Sequence, residues 1–357
     1  MVAAGNINDL IGQPGEWLRS SGADSDVVVS SRLRLARNLK THKYLTRATS
    51  MERREIETFV RDRLDALPFA GSVRYFGLHD LEPVDRQLLV ERHLISSELA
   101  NGEGERGVAV TTDETLSLMV NEEDHLRLQT LRGGFDFDDA WTQIQGADKA
   151  MEQILPYAFH ERYGYLTCCP TNIGTALRVS VMMHLPAAAM SKQMDKVLQS
   201  LSRLNFTVRG FFGEGTQPVG DLFQVSNQVT LGKAELDIVD EMKSIIPKLI
   251  EFERTWRQKL HEDQRVMIED KVWRALGILQ SARTISSEET LEHLSAMRLG
   301  LQLSILKGIP LDVLNEVFIF SQPAHLQKSA SKTLDPADRD KLRAGYVRER
   351  FRSFSGS

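Results

Sequence analysis

The chain has 357 residues, 44 basic and 49 acidic, and this near balance gives no global electrostatic case for a nucleic-acid or membrane-surface protein. No apolar run is long enough to span a bilayer, and no basic region followed by an apolar stretch opens the chain as a secretory signal would. The only cysteines, Cys168 and Cys169, are sequence neighbours, which rules out a disulfide framework and makes a reducing cytoplasm the expected setting.

A chain of this length buries at least one large core and is long enough for two domains. Residues 1–26 read as a short, polar, irregular N-terminal segment with one helical turn near Asn8. Between Val27 and Gln228, strand patterns fall at 27–36, 72–77, 107–111, 116–121, 125–133, 165–168, 206–212 and 221–227. Helical patterns fall at 50–67, 82–95, 138–157, 174–184 and 191–203. Lys233 to Leu260 then forms one long amphipathic pattern with Pro247 as a candidate kink, and helical patterns continue at 264–281, 287–303, 310–319 and 336–351. The expected fold class is α+β over 27–255, followed by an all-helical domain over 256–357.

Gly102, Gly104 and Gly107 have the spacing of a dinucleotide fingerprint, but a strand pattern follows them where a helix is required, so a polar loop is expected. The Gly-Lys-Ser/Thr phosphate loop is absent, as are the His-Arg-Asp and Asp-Phe-Gly motifs of ordinary protein kinases. The Asn205-Phe206-Thr207 glycosylation triplet is a chance match in a cytoplasmic chain.

Asn121-Glu122-Glu123-Asp124-His125-Leu126-Arg127 joins the apolar strand pattern 116–120 to an alternating one, which places an acidic cluster at a turn between two strands. Two readings stand for it. A carboxylate pair held there can orient and deprotonate a cationic nucleophile, or the segment is a solvated hairpin turn. Arginines recur where an element would be apolar. Arg32 and Arg34 share one face of the first strand while Leu33 and Leu35 share the other. Arg127 interrupts the strand after the acidic turn, Arg178 sits in the apolar 174–184 pattern, and Arg209 closes the strand begun by Phe206. Each alone fits a surface arginine or a buried ion pair. Together they suggest a polyanion site, because guanidinium groups offer forked donors to phosphate oxygens.

In order, Ser30-Ser31-Arg32-x-Arg34, Asn121-Glu-Glu-Asp-His-Leu-Arg127, Cys169-Pro170-Thr171-Asn172-x-Gly174-Thr175 with Arg178, and Arg209-Gly210-x-x-Gly213-Glu214 resemble the catalytic domain of the phosphagen (guanidino) kinases over roughly residues 27–255. The whole chain resembles more specifically the bacterial branch of that family that acts on arginines in proteins. The resemblance implies an antiparallel sheet flanked by helices, with ATP and Mg2+ as cofactors. It implies Glu123 as catalytic base, with Glu214 as second carboxylate, Glu122 reaching magnesium through water with no direct protein ligand, and Cys169 as reactive cysteine. ATP would be held by the segments Ser30-Ser31-Arg32-Leu33-Arg34, Arg178-Val179-Ser180-Val181-Met182 and Arg209-Gly210-Phe211-Phe212-Gly213-Glu214, with His93 and Arg127. Cys168 has no counterpart in the motif.

Phosphagen kinases carry a helical domain before the catalytic one; here 26 residues precede Val27, and the additional helical region follows instead. That departure fits an open site for an arginine on a protein. In the C-terminal region, Arg339-Asp340-Lys341-Leu342-Arg343-Ala344 resembles a phosphoarginine-binding motif. Arg339 and Arg343 would clamp the phosphate, Asp340 would pair with the guanidinium and Ala344 would leave room. The implied partners are the heat-shock repressor CtsR, a zinc-binding activator (McsA), the Clp unfoldase and protease, protein substrates with exposed arginines, and further copies of the chain. Kinases of free arginine or small guanidino compounds, and a phosphoarginine-binding adaptor with an inactive kinase domain, are the alternatives. Assay of free L-arginine and of ATP turnover separates them.

Overall fold

The computed structural model describes residues 2–354 apart from Ser21 and 211–218. The strands are β1 (Ala3–Ala4), β2 (Val28–Arg37), β3 (Val73–Gly77), β4 (Gly107–Thr111), β5 (Leu116–Val120), β6 (Leu126–Gly133), β7 (Phe159–His160), β8 (Gly164–Tyr165), β9 (Leu177–His184), β10 (Phe206–Gly210) and β11 (Leu222–Asn227). The helices are α1 (Ser50–Arg61), α2 (Pro83–Glu91), α3 (Ser97–Asn101), α4 (Phe137–Glu152), α5 (Pro186–Met190), α6 (Met194–Arg203), α7 (Glu235–Asp263), α8 (Arg265–Ser281), α9 (Ser287–Gln302), α10 (Leu311–Phe320), α11 (Pro323–Ser329) and α12 (Pro336–Phe351).

One sheet runs in the order β1-β3-β4-β5-β6-β2-β9-β11-β10, while β7 and β8 form a separate hairpin. All its pairings are antiparallel except β1 with β3. Strand period 2 sends alternate residues to opposite faces. Leu33, Leu35, Leu126, Leu128, Val179, Val181 and Val225 enter one core, where Ile56 and Val60 of α1, Ile144 of α4 and Met242 and Ile246 of α7 cover them. The opposite face changes character across the sheet. Phe76, Val108, Val110 and Met119 pack on Leu88, Leu89 and Leu99 of α2 and α3. Val29, Leu131, Met182 and Leu222 join the core of α8, α9, α10 and α12. The remainder of that face, on β6, β2, β9 and β11, is polar.

Residues 174–184 are not a helix. Leu177–His184 is β9, bonded to β2 on one side and β11 on the other. Its apolar run hides the period of 2 because Met182 is buried against the C-terminal helices while its odd-numbered neighbours enter the first core. The strand expected at 165–168 is confined to Gly164–Tyr165. The helices α3, α5 and α11 are too short for periodicity to reveal.

The N-terminal segment is woven in. Ala3 and Ala4 pair with β3, and Trp17 and Leu18 are buried in the C-terminal helical core. The helical turn near Asn8 is present at Ile7–Leu10. α7 runs through the boundary expected at 255 and carries Pro247 within it. Its Glu253 carboxylate accepts from the backbone N–H groups of Ala187 and Ala188, at the start of α5, and pairs with Arg257 at 2.9 Å.

Candidate active site

Strand register brings the five arginines together. Ala36 stands opposite Arg127, Arg34 opposite Arg178, and Gln224 opposite both Met182 and Arg209. Because cross-strand partners share a face, Arg32, Arg34, Arg127, Arg178 and Arg209 all belong to the polar face, spread over β2, β6, β9 and β10. Arg32 donates to Gln224 Oε1 at 2.6 Å. Burial and then Arg127 and Arg178 lower the Arg32 guanidinium to about 10. Arg34 is held well down by burial, then by Arg32, Arg127 and Arg178. Arg34 Nε is buried with no hydrogen-bond partner among the described residues. Like charges packed this way make a field that an anion relieves, and forked donors suit phosphate oxygens.

His93 adjoins this face. It has a φ of 58°, its carbonyl accepts from Gln129 Nε2 at 2.7 Å, and its ring meets that of Trp17 edge-on at 5.1 Å. Burial and the Arg32 charge pull it down to about 3, so its imidazole is neutral at physiological pH. The side chains of Leu33, Val179 and Val181 lie in the core beneath the sheet and leave only backbone to the site. Ser31 Oγ donates to the Gly134 carbonyl at 2.8 Å and accepts from Asp136 N. Ser180 Oγ donates to the Arg32 carbonyl at 3.3 Å. Ser30 is buried, and Met182 packs in the C-terminal core. Phe211, Phe212, Gly213 and Glu214 lie outside the described residues.

The acidic turn is a braced structure rather than a solvated one. Asn121 adopts a φ of 61° and donates through Nδ2 to the carbonyls of Arg53 and Glu105, both at 2.8 Å. The buried Asp124 carboxylate accepts from Asn38 Nδ2 at 2.5 Å and from Cys168 N at 2.6 Å. Asn38 Oδ1 accepts from His125 N, and His125 bridges Leu39 N and the Lys43 carbonyl. Asn38 therefore holds the turn from beneath. Sequence patterns do not reveal this role, since a lone asparagine after a strand carries no signal.

Within that frame the two glutamates part. The Glu122 side chain is 2% exposed. One oxygen accepts from Ser96 Oγ and Arg127 Nη1, both at 2.6 Å, and the other from Glu123 N at 2.9 Å. Both oxygens are engaged, and Glu122 is placed to position Arg127 and Glu123. The Glu123 side chain is 43% exposed, 3.1 Å from Arg127 Nη2 and 3.5 Å from Asn172 Nδ2. Burial raises its carboxyl above the usual range, Arg127 opposing, with Asp124 and Glu122 adding to the rise. A carboxylate with a raised pKa is the better proton acceptor. If it acts as a base, activity should fall on acidification through a midpoint above that of a free glutamate. A kcat/KM profile with no acid limb there counts against the assignment.

Cys169 precedes the turn Pro170–Asn172, and its Sγ lies 3.0 Å from Thr171 Oγ1. Burial and then Asp124 push its neighbour Cys168 up to about 12, which keeps that thiol protonated. The turn sets Asn172 beside Glu123.

Comparison with known proteins places this arrangement. The family model for the ATP:guanido phosphotransferase C-terminal catalytic domain matches residues 55–256, and that for the protein-arginine kinase McsB C-terminal domain matches residues 265–357. The "Protein-arginine kinase" of Desulforamulus reducens is 44% identical over 98% of this chain and 99% of its own length. That of Halalkalibacterium halodurans is 43% identical over 94% of this chain and 95% of its own. The chain belongs to the protein-arginine kinase family. Among solved structures, a lombricine kinase covers 70% of this chain and 71% of its own at 25% identity and a TM-score of 0.57. The duplicated taurocyamine kinase from Schistosoma mansoni covers 70% of this chain and 35% of its own, at 25% identity and a TM-score of 0.59.

The C-terminal motif of this protein-arginine kinase family member lies on α12. Arg343 is 1% exposed. It donates to the carbonyls of Ser321 and Ile285 at 2.8 and 2.9 Å and to Asp340 Oδ1 at 2.5 Å. Ala344 is buried in the helical core. Arg339 donates to the Leu334 carbonyl at 3.2 Å. Arg343 thus ties α12 to the ends of neighbouring elements, while Asp340 pairs with it and the Arg339 charge acts on it.

Proposed function

We propose that the chain transfers the γ-phosphoryl group of ATP to the guanidino group of arginine side chains in proteins. The observation that carries this reading is the meeting of five arginines on one sheet face with a half-exposed carboxylate, Glu123, at its edge. The full-length likeness to protein-arginine kinases supplies the acceptor. A protonated guanidinium has no free nucleophilic pair. Glu123 accepts its proton, the nitrogen bonds to the γ-phosphorus, and the bond from that phosphorus to the bridging oxygen breaks to release ADP. Arg32, Arg34, Arg127, Arg178 and Arg209 hold the phosphates and stabilise charge in the transition state. Magnesium bound to the nucleotide neutralises phosphate charge, and Glu214 serves as the second carboxylate.

Incubation with ATP and a mixed protein substrate, followed by mass spectrometry at neutral pH, should detect phosphoarginine, whose phosphoramidate bond is acid-labile. Phosphate found only on hydroxyl side chains would overturn this reading. On the same reading the chain works in the cytoplasm in a stress response. It inactivates the repressor CtsR, marks proteins for the Clp protease, responds to the activator McsA and self-associates. Phosphoarginine bound at Arg339, Asp340, Arg343 and Ala344 would regulate it.

A further inference from the structure

The short β7–β8 hairpin rests Tyr165 against the first core and carries Phe159 and Tyr163 outside it. Among the described residues three aromatic side chains are largely exposed, Phe159 at 56%, Tyr163 at 42% and Trp273 at 40%, and the first two lie on this hairpin. Phe159 packs edge-on against Tyr165 at 5.2 Å, and the Arg37 guanidinium backs Tyr165 at 3.4 Å from its ring centre. His160 and Tyr163 face each other at the tip, 4.9 Å apart. Exposed aromatics with such rigid support are what protein-binding surfaces use, because they cover large area at small entropic cost.

The hairpin is fixed to the frame that holds Glu123. At its feet, Ala158 N donates to the Asn38 carbonyl at 2.7 Å, and Asn38 Nδ2 donates to the Leu166 carbonyl at 3.0 Å. The same Asn38 holds Asp124 and His125 of the acidic turn. On its other side, Tyr165 N donates to the Gly174 carbonyl at 2.8 Å, closing the loop that carries Cys169 and Asn172. Here glycine is required. Gly164 has a φ of 72°, and a Cβ on it would lie 2.4 Å from the Gly174 carbonyl oxygen. A Cβ on Gly174 would meet the Cα of Leu231 at 2.8 Å, and Leu231 is itself 53% exposed.

We infer that Phe159 and Tyr163, with Leu231 alongside, form a docking rim for the polypeptide that flanks the target arginine. The inference rests on the protein-arginine reading, because an arginine presented to Glu123 on a protein must bring its neighbouring residues against the surface tied to that turn. The occupant is an unfolded or extended substrate segment, whose apolar side chains and peptide groups lie across the aromatic tip.

The test compares the full chain with the Phe159→Ser/Tyr163→Ser double variant and with the conservative Phe159→Tyr/Tyr163→Phe swap, using reduced, carboxymethylated lysozyme as the protein substrate. The serine variant should raise KM for the protein about 10-fold, with KM for ATP and kcat within about twofold, and the swap should restore KM. An unchanged protein KM, or an equal rise in both KM values, overturns the rim. Failure of the wild type to phosphorylate arginine in the protein at all overturns the proposed function, and the rim with it.

Discussion

Glu123→Gln should lower the rate of phosphoryl transfer by on the order of 10²–10⁴ while ATP affinity stays within a few-fold of wild type. The amide keeps the size of the side chain but cannot take a proton from a guanidinium. The nucleotide should be retained because the arginine face is built separately. Arg127 still pairs with Glu122 at 2.6 Å, and Arg32 still donates to Gln224. The turn itself should survive, since Asp124, Asn121 and Asn38 brace it through bonds that do not involve the Glu123 carboxylate. Rapid-quench transfer rates and calorimetric ATP binding on the same preparation check both halves. Near-normal turnover would remove Glu123 from the chemistry, and a parallel loss of ATP binding would assign it to the nucleotide.

Arg34→Met should weaken ATP binding by at least ~100-fold and raise the melting temperature of the nucleotide-free protein. A hydrogen bond to a charged group contributes about 1.5–3 kcal/mol, and a fork makes two of them. Without nucleotide the balance reverses. Arg34 stands directly across from Arg178, next to Arg32 and Arg127, with its Nε lacking a partner among the described residues. Replacing a partly buried, poorly compensated charge by an apolar side chain of similar length should stabilise by on the order of 1 kcal/mol. ATP should then stabilise the wild type, by linkage, far more than the variant. Thermal melts with and without ATP read both effects. A variant with a lower melting temperature and unchanged ATP affinity would make Arg34 structural.

Features carried by neighbouring residues, or by strict alternation, are legible in the chain alone. The opposed faces of Arg32, Arg34 and Leu33, Leu35 follow from period 2, and the strands on either side of the acidic turn from their apolar patterns. The long helices declare themselves through their own periodicity, as does the change to all-helical character after residue 232. The motifs Asn121–Arg127 and Cys169–Thr175, with the arginines, resemble those of the guanidino kinases in order and residue type. β9 reads as a helix in the sequence because Met182 and Met183 extend its apolar run past the alternation of Leu177, Val179 and Val181, Met182 being packed on the C-terminal helices.

What the sequence by itself determined is the residue types of the site and the alternation that keeps its arginines out of the core. Only the tertiary structure decided which arginines meet, because the pairing of β2 with β6 and β9, and of β11 with β9 and β10, is set by register between distant segments. It also decided the division of labour between adjacent glutamates: Glu122 is drawn inward by Ser96 and Arg127, and Glu123 is left facing outward. Likewise it enclosed Arg343 among the carbonyls of Ser321 and Ile285. Burial and hydrogen-bond partners belong to the packed chain, and side chains of the same type acquire different chemistry from the neighbours that folding gives them.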